Sequence, residues 1–335
     1  MKQAMLWENI GNDKIRCLLC PQKCVITEGK KGFCRVRHNN GGVLYAVNYG
    51  QVTSYGIDPI EKKPLYHFYP GSDIFSVGTF GCNLRCGFCQ NWSIAHGDPD
   101  TVTISPEQLA TATAAAAAEE HDGHNSIGIA YTYSEPLMWY EYVYDAAKLV
   151  RASGLKNVLV TNGFINPEPL KEILPFIDAL NIDVKGFSDS YYNETCMGEL
   201  PPVLQTVEIA SAYCHVEVTT LLVNGLNDSK EEISQLAEWL AGINKDIPLH
   251  LSRYFPNYKM ELPPTPLYVL EEARNEALKK LNYVYLGNVP GSEAASTYCP
   301  ECGTLLIDRR GYRAVEIGLE GQNCRICGRE IMIIR

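Results

Sequence analysis

Gly81-Cys82-Asn83-Leu84-Arg85-Cys86-Gly87-Phe88-Cys89-Gln90-Asn91 sets three cysteines at C-x3-C-x2-C spacing. Three thiolates on so short a loop can hold three irons of a [4Fe-4S] cube, whose irons are normally cysteine-ligated. The fourth iron is then left without a protein ligand. An open coordination position marks a reactive metal site, by the logic that separates catalytic from structural zinc. The competing reading is a structural zinc site or a scatter of buried thiols, and three ligands without a fourth make a poor structural site.

Outward from this loop, the chain alternates short apolar strands with helices, the pattern of a parallel sheet. Strands are expected at 74–78, running straight into the cysteines, and at 127–131, 158–161, 180–184, 215–223, 249–252 and 283–286. Ser105 is placed as a helix N-cap, with Pro106 at the first helical position and Gln108 closing a capping box. A helix from Pro136 is expected to stop at Gly154, and Asn166-Pro167 opens another. Periodicity does not separate a doubly wound sheet from a (β/α) barrel. The cysteine loop after the first strand favours the barrel, where chemistry sits on loops at the strands' C-terminal ends. The expected fold is therefore α/β, a partial (β/α)6 TIM-like barrel over 71–292. It is flanked by a cysteine-rich metal-binding domain at 1–70 and a zinc-ribbon or rubredoxin-like domain at 293–335.

The 335 residues are 46% hydrophobic and 20% charged, as in a globular chain able to bury a full core. No apolar run is long enough to span a bilayer, and the N-terminus lacks a signal peptide's apolar region. A cytoplasmic protein without a membrane role is expected. The net charge of −10 argues against nucleic-acid binding through a broad basic face.

Thirteen cysteines are many for a compartment where disulfides rarely persist. Besides Cys82, Cys86 and Cys89, two sets of four stand out: Cys17, Cys20, Cys24 and Cys34, and Cys299, Cys302, Cys324 and Cys327. The second set forms two C-x2-C-G knuckles, the signature of a zinc ribbon or rubredoxin-like site, with zinc the favoured metal. The first set, C-x2-C-x3-C-x9-C, supplies ligands for zinc or for a second iron–sulfur cluster, and the spacing does not choose. Cys196 and Cys214 stand alone and read as inert buried thiols.

The C-x3-C-x2-C loop resembles the signature of the radical S-adenosylmethionine (SAM) superfamily. The resemblance implies a [4Fe-4S] cluster whose open iron chelates SAM, and reductive cleavage of SAM to methionine and a 5′-deoxyadenosyl radical. Residue by residue it extends to other strand ends. Ser134-Glu135-Pro136 is similar to the segment that binds the methionine ammonium, with Tyr133-Ser134 where relatives have two glycines. Thr161-Asn162-Gly163 resembles the ribose-contacting strand end, although Asn-Gly is also a turn signal. Asp183-Val184-Lys185 matches an Asp-x-Lys run beside SAM. Thr219 or Thr220 stands where many relatives have an arginine, and His250 matches a histidine near the SAM carboxylate. A histidine on an apolar strand is equally a satisfied core residue. Arg253, Tyr254 and Phe255 are candidates for a substrate pocket.

Over essentially the whole chain, these pieces resemble the AmmeMemoRadiSam-system radical SAM enzymes, similar to pyruvate formate-lyase-activating enzymes. That family implies association with Memo-like and AMMECR-like proteins and an electron donor such as ferredoxin or flavodoxin. The expected activity is hydrogen abstraction from a small-molecule or partner-bound substrate. A glycyl-radical activase and a non-catalytic multi-metal binding protein are the alternatives.

Overall fold

The computed structural model describes residues 1–121 and 124–335. Its central sheet has seven parallel strands: β2 (Asp73–Gly78), β3 (His124–Tyr131), β4 (Lys156–Thr161), β5 (Ala179–Asp183), β6 (His215–Leu222), β7 (Leu249–Arg253) and β8 (Val284–Gly287). They pair in sequence order, and β1 (Ser54–Pro59) adds an antiparallel edge beside β2. The strand residues are buried on both faces, which is why they read as near-continuous apolar runs.

Helices carry the crossovers: α1 (Pro106–Ala118), α2 (Tyr140–Ala152), α3 (Pro167–Ile173), α4 (Leu200–Ser211), α5 (Lys230–Asn244) and α6 (Leu267–Ala277). The Ser105 capping box forms as expected, with Ser105 Oγ accepting from Gln108 N and Gln108 Oε1 accepting from Ser105 N. Such a cap contributes about 1 kcal/mol. The helix expected from Pro136 begins as a 3-10 turn, Pro136–Trp139, before α2, and Gly154 closes it at φ +78°.

In a flat sheet β2 and β8 would lie about 29 Å apart. Here residues at or just beyond the C-terminal ends of all seven parallel strands line one cleft, so the sheet curls around its own strand ends.

Short N-terminal strands bring Ile15, Leu19, Ile26, Val36 and Leu44 into the same apolar core as Val77, Leu159, Ile182, Val218 and Leu251. The C-terminal segment packs Leu306, Ile307, Ile331 and Ile333 against Tyr66, Tyr283 and Tyr285. Arg309 anchors it, donating to the Tyr66 carbonyl at 2.6 Å and to Thr297 Oγ1 at 2.6 Å. Among the described residues, no helix is long and apolar enough to cross a membrane.

Candidate active site

The loop leaving β2 turns at Gly81, where φ is +95°. A Cβ there would lie 2.5 Å from Val36 Cγ1 and 2.9 Å from the Cys34 carbonyl, so only glycine fits. Beyond it the loop is pinned from several sides. Asn83 Nδ2 donates to the Phe164 carbonyl at 2.6 Å, Arg85 N to the Cys196 carbonyl at 2.8 Å and Lys259 N to the Gly87 carbonyl at 3.0 Å. The Arg85 guanidinium donates to the carbonyls of Cys82 and Leu84 at 2.7 and 2.8 Å. The backbone that presents Cys82, Cys86 and Cys89 is therefore held independently of any metal.

All three cysteines line the cleft, about 990 Å³ of empty volume open to solvent, together with Ser134, Glu135, Asn162, Asp183, Lys185 and Thr219. Ser134 lies just after β3, where Tyr133 holds the left-handed region at φ +69°. That is the conformation for which relatives would use glycine. Ser134 Oγ donates to the Thr79 carbonyl at 2.5 Å, and Tyr133 OH to Asp58 Oδ2 at 2.8 Å.

Glu135 is 2% exposed, and its carboxylate accepts from Leu137 N (3.0 Å), Thr161 Oγ1 (2.6 Å) and Asn162 N (2.8 Å). Burial outweighs these bonds and pushes the carboxyl up to about 7. Thr161 thus acts through Glu135 rather than on the cleft wall, whereas Asn162 Nδ2 points back to Cys82 Sγ at 3.6 Å and Asn83 Oδ1 at 3.0 Å. At the end of β5, Lys185 Nζ pairs with Asp183 Oδ2 at 2.9 Å. Burial opposes the Lys185 charge, but Asp183, Cys86 and Cys196 hold its pKa well above the ordinary lysine value. Of the two threonines on β6, Thr219 faces the cleft, whereas Thr220 turns away to donate to the Val184 carbonyl.

His250 is not on the cleft wall. Its position two residues before Ser252, which does line the cleft, puts it one layer deeper. There His250 Nε2 meets Glu217 Oε2 at 2.6 Å and its ring lies between Tyr66 and Tyr285. Arg253 and Phe255 stack on each other beyond the strand end, and the Arg253 Nε donates to the Thr265 carbonyl.

Several further wall residues were not singled out as site residues: Gln90, Asn91, His96, Ser252 and Asn288. Strand-end position was the available signal for Ser252 and Asn288. Cys196 is a further addition. It is fully buried on a π-helical turn, Tyr192–Cys196, and its thiol lies beside that of Cys86. That neighbour, followed by burial, raises the Cys86 thiol well above its usual value.

The donor sets differ in spread. Cys299, Cys302, Cys324 and Cys327 hold all four sulfurs within 4.8 Å of one another, with Cys299–Cys327 at 3.5 Å and Cys302–Cys324 at 3.6 Å. A tetrahedral ion with bonds of about 2.3 Å needs sulfurs about 3.8 Å apart, so this set suits one metal ion. Backbone N–H groups of Cys327 and Ile326 also draw the Cys324 thiol down to about 6. Among the described residues no other acidic, histidine or cysteine group is gathered so tightly. Cys82, Cys86 and Cys89 are not gathered this tightly, as ligands set around a cube rather than around one ion require.

Residues 76–240 match the family model of the Radical SAM superfamily. An uncharacterized protein of Methanocaldococcus jannaschii is 45% identical over 100% of both chains. The pyruvate formate-lyase-activating enzyme of Clostridium pasteurianum is 28% identical over 52% of this chain and 72% of its own. The structure of a radical SAM methyltransferase from Sphaerobacter thermophilus superposes with a TM-score of 0.51 at 16% identity, over 65% of this chain and 67% of that one, a likeness of fold. The chain belongs to the radical SAM superfamily, with similarity to the pyruvate formate-lyase-activating enzymes.

Proposed function

We propose that this chain is a radical SAM enzyme of the AmmeMemoRadiSam type, built on a partial (β/α)6 barrel, acting on a small-molecule or partner-bound substrate. The observation that carries it is the convergence of Cys82, Cys86 and Cys89 with Glu135, Asn162, Asp183 and Lys185, from separate strand ends, on one cleft. The family implies a [4Fe-4S] cluster and SAM. Once bound, they supply reductive cleavage of SAM to methionine and a 5′-deoxyadenosyl radical, which takes a hydrogen atom from the substrate.

The chain's own residues bind and orient. The three thiols hold the cluster, and the Asn162 amide orients Cys82. Glu135 Oε2 accepts from Asn162 N and retains a lone pair for the SAM ammonium. The Asp183–Lys185 pair sets a fixed dipole beside Cys86 for the nucleoside and carboxylate ends. In this reading His250 positions the sheet beneath the site, through Glu217, without touching SAM. The C-terminal thiols take zinc, and the N-terminal four take a second metal centre. Memo-like and AMMECR-like proteins are the proposed partners, with ferredoxin or flavodoxin as donor.

The test is anaerobic reconstitution with SAM and dithionite, reading 5′-deoxyadenosine by mass spectrometry. Stimulation by the low-mass fraction of a host lysate is expected. A response to the macromolecular fraction alone would favour the second reading, a glycyl-radical activase, which the likeness to the Clostridium pasteurianum enzyme supports.

The Glu135 carboxyl gives a pH signature. Because its value is raised to about 7, it is protonated below that pH and offers the ammonium no charge. SAM affinity should therefore fall about tenfold per unit from pH 7 to 5.5 and level off above, with one proton released per SAM bound in the acid range. Equilibrium binding across pH 5.5–7.5 checks this, and Glu135→Gln should bind weakly with a flat profile. A wild-type profile as flat as the variant's would remove Glu135 from the ammonium site.

A further inference from the structure

The N-terminal cysteines surround a small cavity, lined by Cys17, Cys20, Cys24 and Cys34 with Arg37 and Gln22. A water-sized sphere has about 10 Å³ there in which to place its centre, so at least one such sphere fits. This small number discriminates. Sulfurs placed for one metal ion, at about 2.3 Å from its centre, leave a gap of about 0.5 Å radius once a sulfur radius of about 1.8 Å is subtracted. Sulfurs placed around a cube stand about 4 Å from its centre and leave about 2 Å, enough for such a sphere. The C-terminal set shows the first arrangement, with every sulfur within 4.8 Å of the others, and the N-terminal set does not.

A second observation points the same way. Arg37 is 2% exposed and binds Glu141 through one guanidinium nitrogen, at 2.7 Å to each carboxylate oxygen. Its Nε–H finds no acceptor among the described residues, although Arg37 lines the cavity. An unmet buried donor costs about 1–3 kcal/mol, more on a charged group. Thiolate and sulfide sulfurs are acceptors that would satisfy it.

We propose that Cys17, Cys20, Cys24 and Cys34 ligate a four-iron iron–sulfur cluster, not a single zinc ion, with Arg37 Nε–H donating to its sulfur. This goes beyond the SAM-site reading and does not depend on it. The two sulfur sets are neighbours: the Asn83 side chain lies beside Cys20, Asn83 Oδ1 accepts from Asn162 Nδ2, and Asn162 Nδ2 also reaches Cys82 Sγ at 3.6 Å. Two asparagines therefore separate the proposed cluster from the SAM-site thiols.

The experiment is metal and labile-sulfide analysis, with electron paramagnetic resonance after dithionite, on the full chain reconstituted anaerobically with iron and sulfide. A Cys82→Ala/Cys86→Ala/Cys89→Ala variant isolates the N-terminal site. About four irons and four sulfides per chain, with a reduced-cluster signal, are expected to survive in it, and to vanish when Cys20→Ser and Cys34→Ser are added. Wild type should hold about eight of each, and Cys20→Ser/Cys34→Ser alone about four, which keeps the test open should the triple variant fail to fold. The proposal is overturned if the triple variant holds zinc without sulfide. It is overturned equally if wild type stops at about four irons and Cys20→Ser/Cys34→Ser keeps them all. Loss of 5′-deoxyadenosine formation with both iron counts as expected would count against the SAM-site reading alone.

Discussion

Cys86→Ala is expected to bring 5′-deoxyadenosine formation down to the level without protein, and to remove about four irons and four sulfides per chain. Cys86 is the buried member of its set, at 7% exposure, whereas Cys82 and Cys89 are half-buried. With only two thiolates left on the loop, the cube would have two unligated irons. Substitution should leave the fold intact, because the loop is held by Asn83, Arg85 and Lys259 through backbone carbonyls and not through sulfur. One complication is built into the site. The Cys196 thiol lies beside Cys86 and is positioned to offer a substitute ligand. Cys86→Ala/Cys196→Ala is therefore the stricter blank, and Cys196→Ala alone should retain the cluster. Iron content, labile sulfide and product from the three proteins measure this together. Full activity in the double variant would exclude the loop as the cluster's holder.

The cysteine loop and three strand ends were readable because each carries a short local pattern at the C-terminal end of an apolar run. Glu135, Asn162, Asp183 and Lys185 all reach the cleft for that reason. What escaped depends on contacts between distant segments. β1 pairs with β2 across a stretch rich in proline and glycine, and its own residues, Ser54–Pro59, lack a buried alternation. α4 opens on Leu200-Pro201-Pro202, which reads as a break although proline is compatible with a first turn. Cys196 meets Cys86 only because a π-helical turn delivers it, with Met197 in the left-handed region. His250 had two readings on sequence alone, and its side chain lies with Glu217 beneath the cleft. The N-terminal spacing left zinc and iron–sulfur equally open, because spacing along a chain does not report the distance between sulfurs.

Glu217→Leu is expected to cost about 3–5 kcal/mol, the usual effect of removing one partner from a buried charged network. Glu217 is fully buried at the middle of the sheet, and its carboxylate accepts from His67 N at 2.7 Å and contacts His215 Nε2 at 2.9 Å and His250 Nε2 at 2.6 Å. Burial opposes its charge, but the two imidazoles win and hold its pKa well below the ordinary carboxylate value. A depressed acid contributes stability that is complete above the unfolded value near 4.5 and lost as pH falls through the lower folded value. Leucine would leave three donors without an acceptor. The loss should also spread outward, because His67 continues the network to the Met332 carbonyl (2.9 Å) and to Tyr285 OH (2.6 Å), and Tyr285 OH to Thr297 Oγ1 (2.8 Å). The carboxylate at the sheet's centre is thus joined to the segment that carries the C-terminal thiols. Thermal unfolding at pH 7 should show a Tm drop of about 4–7 °C for Glu217→Leu and a smaller one for Glu217→Gln, which keeps two polar atoms. Limited proteolysis should cut the C-terminal segment of Glu217→Leu before the central sheet. If instead the variant unfolds with wild-type Tm and cleavage pattern, the network is not what couples the sheet to that segment, and the packing of Leu306, Ile307, Ile331 and Ile333 against Tyr66, Tyr283 and Tyr285 carries the attachment alone.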